Sequence, residues 1–303
     1  MEERISHFLS YLSVEKGASA NTIAAYKNDL HQFRSYLSSL DINGDRPVLE
    51  SIGKDLILDY VLELRRRNYA DATVARKVAA IKTFFGFLSE EGILRQNPTE
   101  SLTSPRVGKS LPKPLSVHEM DELLEQPARR NSPEAKRDKA MLELLYATGM
   151  RVSELVCLDV ETVHLDRKAP YVRCLGKGSK ERVIPIHEQA AEAVEEYLDE
   201  GRSPLVKNKD EPALFVNRRG ERLTRQGFWL ILKNYARATA ISTPVTPHTL
   251  RHSFATHMLR GGAPLRNVQE LLGHANIATT QVYTRLTNEH VRQVYEKAHP
   301  RAR

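Results

Sequence analysis

The sequence predicts a mainly α-helical protein with a small β-sheet, built as two domains. Three observations carry this expectation. The first hundred residues repeat their apolar positions at helical spacing. A stretch with four prolines and no periodicity, NPTESLTSPRVGKSLPKP at 97–114, then breaks the pattern. Beyond it, helical segments flank one pair of short β-prone runs around a glycine-rich turn, YVRCLGKGSKERVIPI. A length of 303 residues favours two domains and can bury a sizeable core without disulfides.

In the first part, Ile5, Phe8, Leu9 and Leu12 mark one helix. A start signal near Ser19 and Asn21 opens a second, with Ala24, Leu30, Phe33, Leu37 and Leu40 along it. DLILDYVLELRRR, 55–67, is a third. Val74, Val78, Ile81, Phe85 and Leu88 stripe a fourth over 71–89. Short polar breaks between them point to a helical bundle. The expected division is a helical domain at 1–104, a linker at 105–113 and a mixed α+β domain at 114–303, with the boundary near residue 110.

The second part opens at Ser116, with Glu119 three residues on as a capping box. EAKRDKAMLELLYATG reads as a helix stopped by Gly149, and RVSELVCL begins another at once. The glycine-turned pair reads as a β-hairpin, and Pro185 confines its second strand to a sheet edge. Helices are expected near 188–200 and 224–240, the latter with Phe228, Ile231, Tyr235 and Ala238 inward. TPHTLRHSFATHMLRGG starts on Thr246 and Pro247 and closes on Gly261 and Gly262. Three short helical patterns finish the chain.

Composition narrows the function classes. The two cysteines, Cys157 and Cys174, argue against a disulfide framework and for a reducing, cytoplasmic setting. MEERISHFLSYLSVEKG carries charges throughout, unlike a signal peptide, and no apolar run reaches membrane-span length, so no membrane insertion is expected. The formal net charge of +7 fits a polyanionic partner.

Chemistry-bearing residues gather in the second domain. His248 and Arg251 of HTLRH share a helix face. His248 and His252 also have zinc-ligand spacing, but Thr249 stands where a zinc protease needs Glu, and Arg251 would repel the cation. No metal is therefore expected, and His252 and His257 read as packing or surface residues. Arg151 lies in the short turn after Gly149; alone it reads as a capping or salt-bridging arginine beside Glu154. Lys177 lies between two glycines at the hairpin tip, where alone it reads as a solvated turn residue. LLGHANIATTQVYT adds His274 and Tyr283. Together these residues suit phosphoryl transfer without a metal: guanidiniums to neutralise phosphorus oxygens, a lysine acid, a histidine acceptor and a tyrosine nucleophile.

ATGMRVSEL, LGKGSKERVIPI, HTLRHSFATHMLRGG and LLGHANIATTQVYT resemble the motifs of the tyrosine recombinases (the phage integrase family), in order and at their usual separations. NTIAAYKNDLHQFRSYL and RKVAAIKTFFGFL resemble that family's SAM-like core-binding bundle, and the ending VRQVYEKAHPRA resembles the Xer type, XerC and XerD. The resemblance implies Arg151, Lys177, His248, Arg251 and His274 as catalytic residues and Tyr283 as nucleophile. It implies a 3′-phosphotyrosyl link, no cofactor, and a two-domain clamp on double-stranded DNA with inverted half-sites. It also implies a tetramer of this chain, alone or with a paralogous recombinase, resolving chromosome dimers at a dif-like site for partition at cell division. A DNA translocase of the FtsK kind is a further implied partner, and a C-terminal helix exchanged between protomers an implied feature. The tail 288–303, with Val291, Val294, Tyr295 and Ala298 on one face after Asn288, can alternatively fold back on its own domain.

Other readings remain beside this one. A mobile-element or phage integrase shares every catalytic residue. A type IB topoisomerase uses a similar set but is disfavoured by the N-terminal bundle and the tail. An architectural DNA-binding protein would not need the catalytic set. Arg65, Arg66, Arg76, Lys77, Lys82 and Lys180 are candidate DNA contacts, against a solvated-face alternative for each.

Overall fold

The computed structural model describes residues 1–40, 49–103, 113–175, 181–273 and 286–302. These fall into two units, Met1–Ser110 and Leu111–Arg303.

Among the described residues, the first unit is a bundle of four α-helices: α1 (Glu2–Val14), α2 (Ala20–Ser38), α3 (Lys54–Arg66) and α4 (Asp71–Glu90). Ser19 caps α2 by accepting from the Thr22 backbone N–H at 3.2 Å, which is the start signal the sequence carries. α4 packs on each of the other three, and Val74, Val78, Ile81, Phe84, Phe85 and Leu88 are buried along it. Inside the bundle, the fully buried Asp29 carboxylate takes Lys77 Nζ at 2.9 Å and is paired with Arg76.

The second unit begins at α5 (Val117–Glu125) with both bonds of the expected capping box, between Ser116 and Glu119. α6 (Pro133–Thr148) is buried along nearly its whole length and ends at Gly149, in the left-handed region at φ 58°. α7 (Val152–Val156) follows directly. The sheet has three strands rather than two. The hairpin of β2 (Tyr171–Leu175) and β3 (Glu181–Pro185) gains β1 (Val163–His164), antiparallel on β2. β1 pairs at only two positions, too short for an alternating pattern to register. Pro185 stands on an edge strand, because among the described residues β3 pairs with β2 alone.

Of the expected helix at 188–200, α8 (Glu188–Glu196) is regular, and the chain then widens into a π-helical turn at Tyr197–Arg202. Gly201 lies in this turn at a close approach to α6: a Cβ there would lie 2.8 Å from the Tyr197 ring and 3.1 Å from the Pro133 carbonyl at the start of α6. A three-residue turn, α9 (Ser203–Leu205), follows, and then α10 (Arg225–Arg237). α10 buries Phe228 and Leu232; Ala238 is its exposed C-cap, not part of the inner face. α11 (Pro247–Arg260) starts on Thr246 and Pro247 as expected and packs on α6 and α12 (Leu265–Leu272).

The last helix, α13 (Leu286–Ala298), starts before Asn288 and packs against α11 and β3 of its own unit. Val291, Tyr295 and Ala298 join that unit's core. The backbone of Ala298 crosses Gly261 so closely that a Cβ there would sit 2.1 Å from the Ala298 carbonyl oxygen. His299 stacks between Tyr295 and His187, with ring centroids at 5.0 and 4.9 Å. Arg301 reaches Glu143 at 3.3 Å, Asp121 at 3.4 Å and Glu125 at 3.6 Å. No helix among the described residues is long and apolar enough to cross a membrane.

This dock holds titrating groups of opposite sign, among them His187 and Glu143. Burial, then the Arg301 charge, pushes His187 down to about 3. Its contribution to stability is complete above the ordinary histidine value and is lost as pH falls toward 3. Burial pushes Glu143 up to about 7, against the opposing charges of Arg301 and Lys139. Its contribution is complete below the ordinary carboxylate value and is lost as pH rises through 7. Two variants separate them in thermal melts between pH 7.5 and 5.5. His187→Asn, which keeps a cap acceptor for α8, loses less stability on acidification than the parent. Glu143→Gln loses more, each differing from the parent by roughly 1–2 kcal/mol over that range.

Candidate active site

The described part of the site forms where α6, α7, β3, α11 and α12 converge. Gly149 sets its geometry. Its φ of 58° turns the chain sharply from α6 into α7, and a Cβ on it would lie 2.2 Å from Cδ1 of Phe254 in α11. Two helices are thereby brought together, and their arginines with them.

Arg151 is the N-cap of α7. Its backbone N–H donates to Glu154 Oε2 at 2.8 Å and its Nη1 to Glu154 Oε1 at 3.0 Å. The Arg151 side chain remains 44% exposed, whereas that of Glu154 is only 7% exposed. Arg182 on β3 approaches from the other side, donating Nη1 and Nη2 to the two Glu154 oxygens at 3.1 and 2.7 Å. Burial alone would push the Glu154 carboxyl up. The Arg182 hydrogen bonds, the Arg151 backbone N–H and the two guanidinium charges outweigh it and hold the carboxyl below its ordinary value.

Arg251, in the first turns of α11, donates to the Gly149 carbonyl at 2.6 Å and the Leu272 carbonyl at 2.8 Å. Burial, then the positive charges of Arg151 and Arg182, brings its guanidinium down to about 10, so it stays charged near neutral pH. His248 lies one turn before Arg251 on α11 and is exposed. His257 is interior: Nδ1 lies 2.8 Å from the Tyr146 hydroxyl and Nε2 2.9 Å from the Leu115 carbonyl, which is the packing role expected of it. Arg151, His248 and Arg251 are thus held on adjoining elements of one unit. Lys177, Lys180, His274 and Tyr283 lie outside the described residues.

Two members of this cluster have no place in the sequence reading as site residues, Arg182 and, beyond its pairing with Arg151, Glu154. A signal for Arg182 exists. It alternates with buried Ile184 on the inward side of β3, and a charged residue on an inward strand position needs a buried partner.

The candidate DNA contacts of the first unit divide. Arg65 and Arg66 are exposed at the end of α3. Arg76 is exposed in part and paired with Asp29. Lys82 donates to the Leu102 carbonyl at 2.7 Å. Lys77 is corrected: only 2% exposed, it is bonded to Asp29 and Gln32 and stands over the Tyr69 ring, because α2 places a buried carboxylate that needs an interior cation.

Gly149→Ala forces a Cβ into the Phe254 ring at a left-handed φ. We expect a loss of roughly 2–4 kcal/mol in denaturant unfolding of the second unit. Gly262, also at positive φ but with open space around it, is the control, and Gly262→Ala is expected to lose only about 1 kcal/mol.

Residues 113–290 match the phage integrase family, and residues 5–92 match the phage integrase N-terminal SAM-like domain. The tyrosine recombinase XerC of Herpetosiphon aurantiacus is 52% identical over 289 residues, covering 95% of this chain and 92% of that protein. The tyrosine recombinase XerD of Halalkalibacterium halodurans is 48% identical, covering 100% of this chain and 99% of its own. In fold, the chain is similar to the XerH site-specific recombinase bound to difH substrate, with a TM-score of 0.65 and 23% identity, covering 98% and 82% of the two chains. It is also similar to a lambda integrase dimer bound to a COC′ core site, with a TM-score of 0.69 and 18% identity, covering 94% and 99%.

Proposed function

The chain belongs to the phage integrase family and is a site-specific tyrosine recombinase, an enzyme that breaks and rejoins DNA; we propose that it resolves chromosome dimers at a dif-like site before cell division. The observation that carries its chemistry is the pair Arg151 and Arg251, both fixed by protein acceptors beside the same turn at Gly149. Two guanidiniums held in this way suit a pentacoordinate phosphorus, whose oxygens carry more negative charge than the ground-state diester. The XerC and XerD relatives and the difH substrate of XerH support the biological assignment.

In this reading the Tyr283 hydroxyl attacks the scissile phosphorus and displaces the 5′-oxygen. His248 and His274 bind non-bridging oxygens or take the tyrosine proton, and Lys177 protonates the leaving 5′-oxygen. A 3′-phosphotyrosyl bond replaces the phosphodiester, so its energy is kept. The 5′-hydroxyl of a partner strand then attacks that bond, frees Tyr283 and restores a phosphodiester without ATP or a metal.

The reading extends to assembly. The substrate is a duplex with inverted half-sites, bound in the cytoplasm. Four protomers, all of this chain or two each with a paralogous recombinase, exchange strands, with α13 moving from its own unit to a neighbour's. A translocase of the FtsK kind is the activating partner.

The test offers DNA from the replication terminus of the protein's own chromosome, cut into short duplexes. We expect one duplex with inverted half-sites to be bound and to yield a denaturant-resistant adduct with a nicked substrate. Tyr283→Phe should bind that duplex with unchanged affinity and give no adduct. An adduct from the Phe variant would mean another nucleophile. Cleavage confined to mobile-element ends would replace dimer resolution with integration.

Lys177→Ala gives a second expectation. Its cleavage of an ordinary diester falls by about 10²–10⁴-fold, as for loss of a general acid. On a substrate with a 5′-bridging sulfur, whose leaving group needs little protonation, most of that loss disappears. Equal defects on both substrates would make Lys177 a binding residue.

A further inference from the structure

Arg182 is 14% exposed, and its donors are turned toward protein. Two nitrogens meet the Glu154 carboxylate, and Nε donates to the Leu271 carbonyl at 3.1 Å in the last turn of α12. Its guanidinium packs on Gly273, where a Cβ would lie 3.1–3.3 Å from Nη1, Cζ and Nε. Gly273 stands in the left-handed region at φ 66° and is followed in sequence by His274. One side chain therefore ties β3, the strand that follows the Lys177 segment, to α7 and to the end of α12.

We propose that Arg182 is a positioning residue for DNA cleavage: it shares the Glu154 carboxylate with Arg151 and so keeps the Arg151 guanidinium open to the scissile phosphate. The inference rests on the reading of Arg151 as a phosphate ligand and deepens it. Glu154 is a buried carboxylate with two cationic partners. While Arg182 occupies both oxygens, the Arg151 side chain donates through Nη1 and stays half-exposed. Without Arg182, Glu154 keeps one cation, and the half-exposed Arg151 is the side chain able to move. A full two-pronged pair with Glu154 would draw Arg151 into the protein and away from substrate. The Leu271 carbonyl would also lose its donor at the turn that leads to His274. Lysine cannot substitute fully, because one ammonium does not reproduce a planar fork that spans a carboxylate and a carbonyl.

The experiment uses the full chain, a nicked suicide duplex with its half-sites, and two readouts: half-site affinity by gel shift and single-turnover cleavage at saturating protein. Arg182→Ala is expected to leave affinity unchanged and slow cleavage by about a hundredfold, the scale of a misplaced catalytic group. Arg182→Lys recovers part of the rate. The decisive comparison is the Glu154→Gln background. There the amide has no charge to capture Arg151, so adding Arg182→Ala costs about tenfold less than it does in the parent. An equal penalty in both backgrounds, or a loss of cleavage that follows a loss of affinity and melting temperature, overturns the proposal in favour of a structural role. Arg151→Ala separates the two layers. If Arg151→Ala cleaves at the parent rate, the phosphate reading fails. If Arg151→Ala is inactive and Arg182→Ala cleaves normally, only the role of Arg182 falls.

Discussion

The Glu154 carboxylate is the constraint from which the catalytic unit is arranged. Three arginines, Arg151, Arg182 and Arg251, lie close enough that two of them lower the basicity of the third. A site for a phosphodiester needs such a concentration of positive charge, yet without substrate those charges repel one another. One buried carboxylate between Arg151 and Arg182 answers this. It is small enough to leave the cluster net positive and central enough to order two guanidiniums. Burying an ionised carboxyl costs several kcal/mol unless it is paired and hydrogen-bonded, and Glu154 takes bonds from two guanidiniums and a backbone N–H.

Among the described residues, Arg251 is bonded to no carboxylate. It is held by backbone carbonyls, those of Gly149 and Leu272, and Arg182 takes the adjoining Leu271 carbonyl. Leu271 and Leu272 are the last two residues of α12, and Gly149 is the C-cap of α6. Helix C-termini leave carbonyls without intrahelical donors and carry partial negative charge. The arginines thus satisfy two helix ends while being fixed by them. Binding through neutral carbonyls also leaves the charge of Arg251 undiminished, which a second carboxylate would not. The close contact of Gly149 with Phe254 belongs to the same arrangement, because it sets the distance between α6 and α11 over which Arg251 must reach.

Much of the fold is legible in the sequence because its signals are local. The Ser19 and Ser116 caps, the Gly149 stop and the Thr246–Pro247 start each depend on a few neighbouring residues. The features that escape are tertiary. Gly201 lies where α6 passes too close for a Cβ, a contact that no periodicity encodes. Lys77 reads as a surface cation until α2 brings Asp29 to it from 48 positions away. The site divides in the same way. Arg151, His248 and Arg251 stand in short recognisable motifs. Arg182 meets Glu154 across 28 residues and Leu271 across 89. Its one local trace is a charge on the inward side of a short strand, which alone does not name a partner.

The C-terminal segment shows how the unit holds its last helix. A helix as short as α13 is marginal alone in water and needs a surface. Its apolar face supplies Val291, Tyr295 and Ala298, but the end of the dock is polar, with His187, His299, Glu143 and the Arg301 ion pairs. Buried ion pairs contribute little net stability compared with apolar packing, since desolvation offsets most of their attraction. They penalise misplacement strongly, however, because an unpaired buried charge costs far more than a paired one. A dock of this composition fixes where the tail sits more firmly than it resists the tail's departure. Between α12 and α13 the chain carries both His274 and Tyr283. The site has two fixed ends around that segment: Arg182 and Arg251 grip the end of α12, and the dock grips α13.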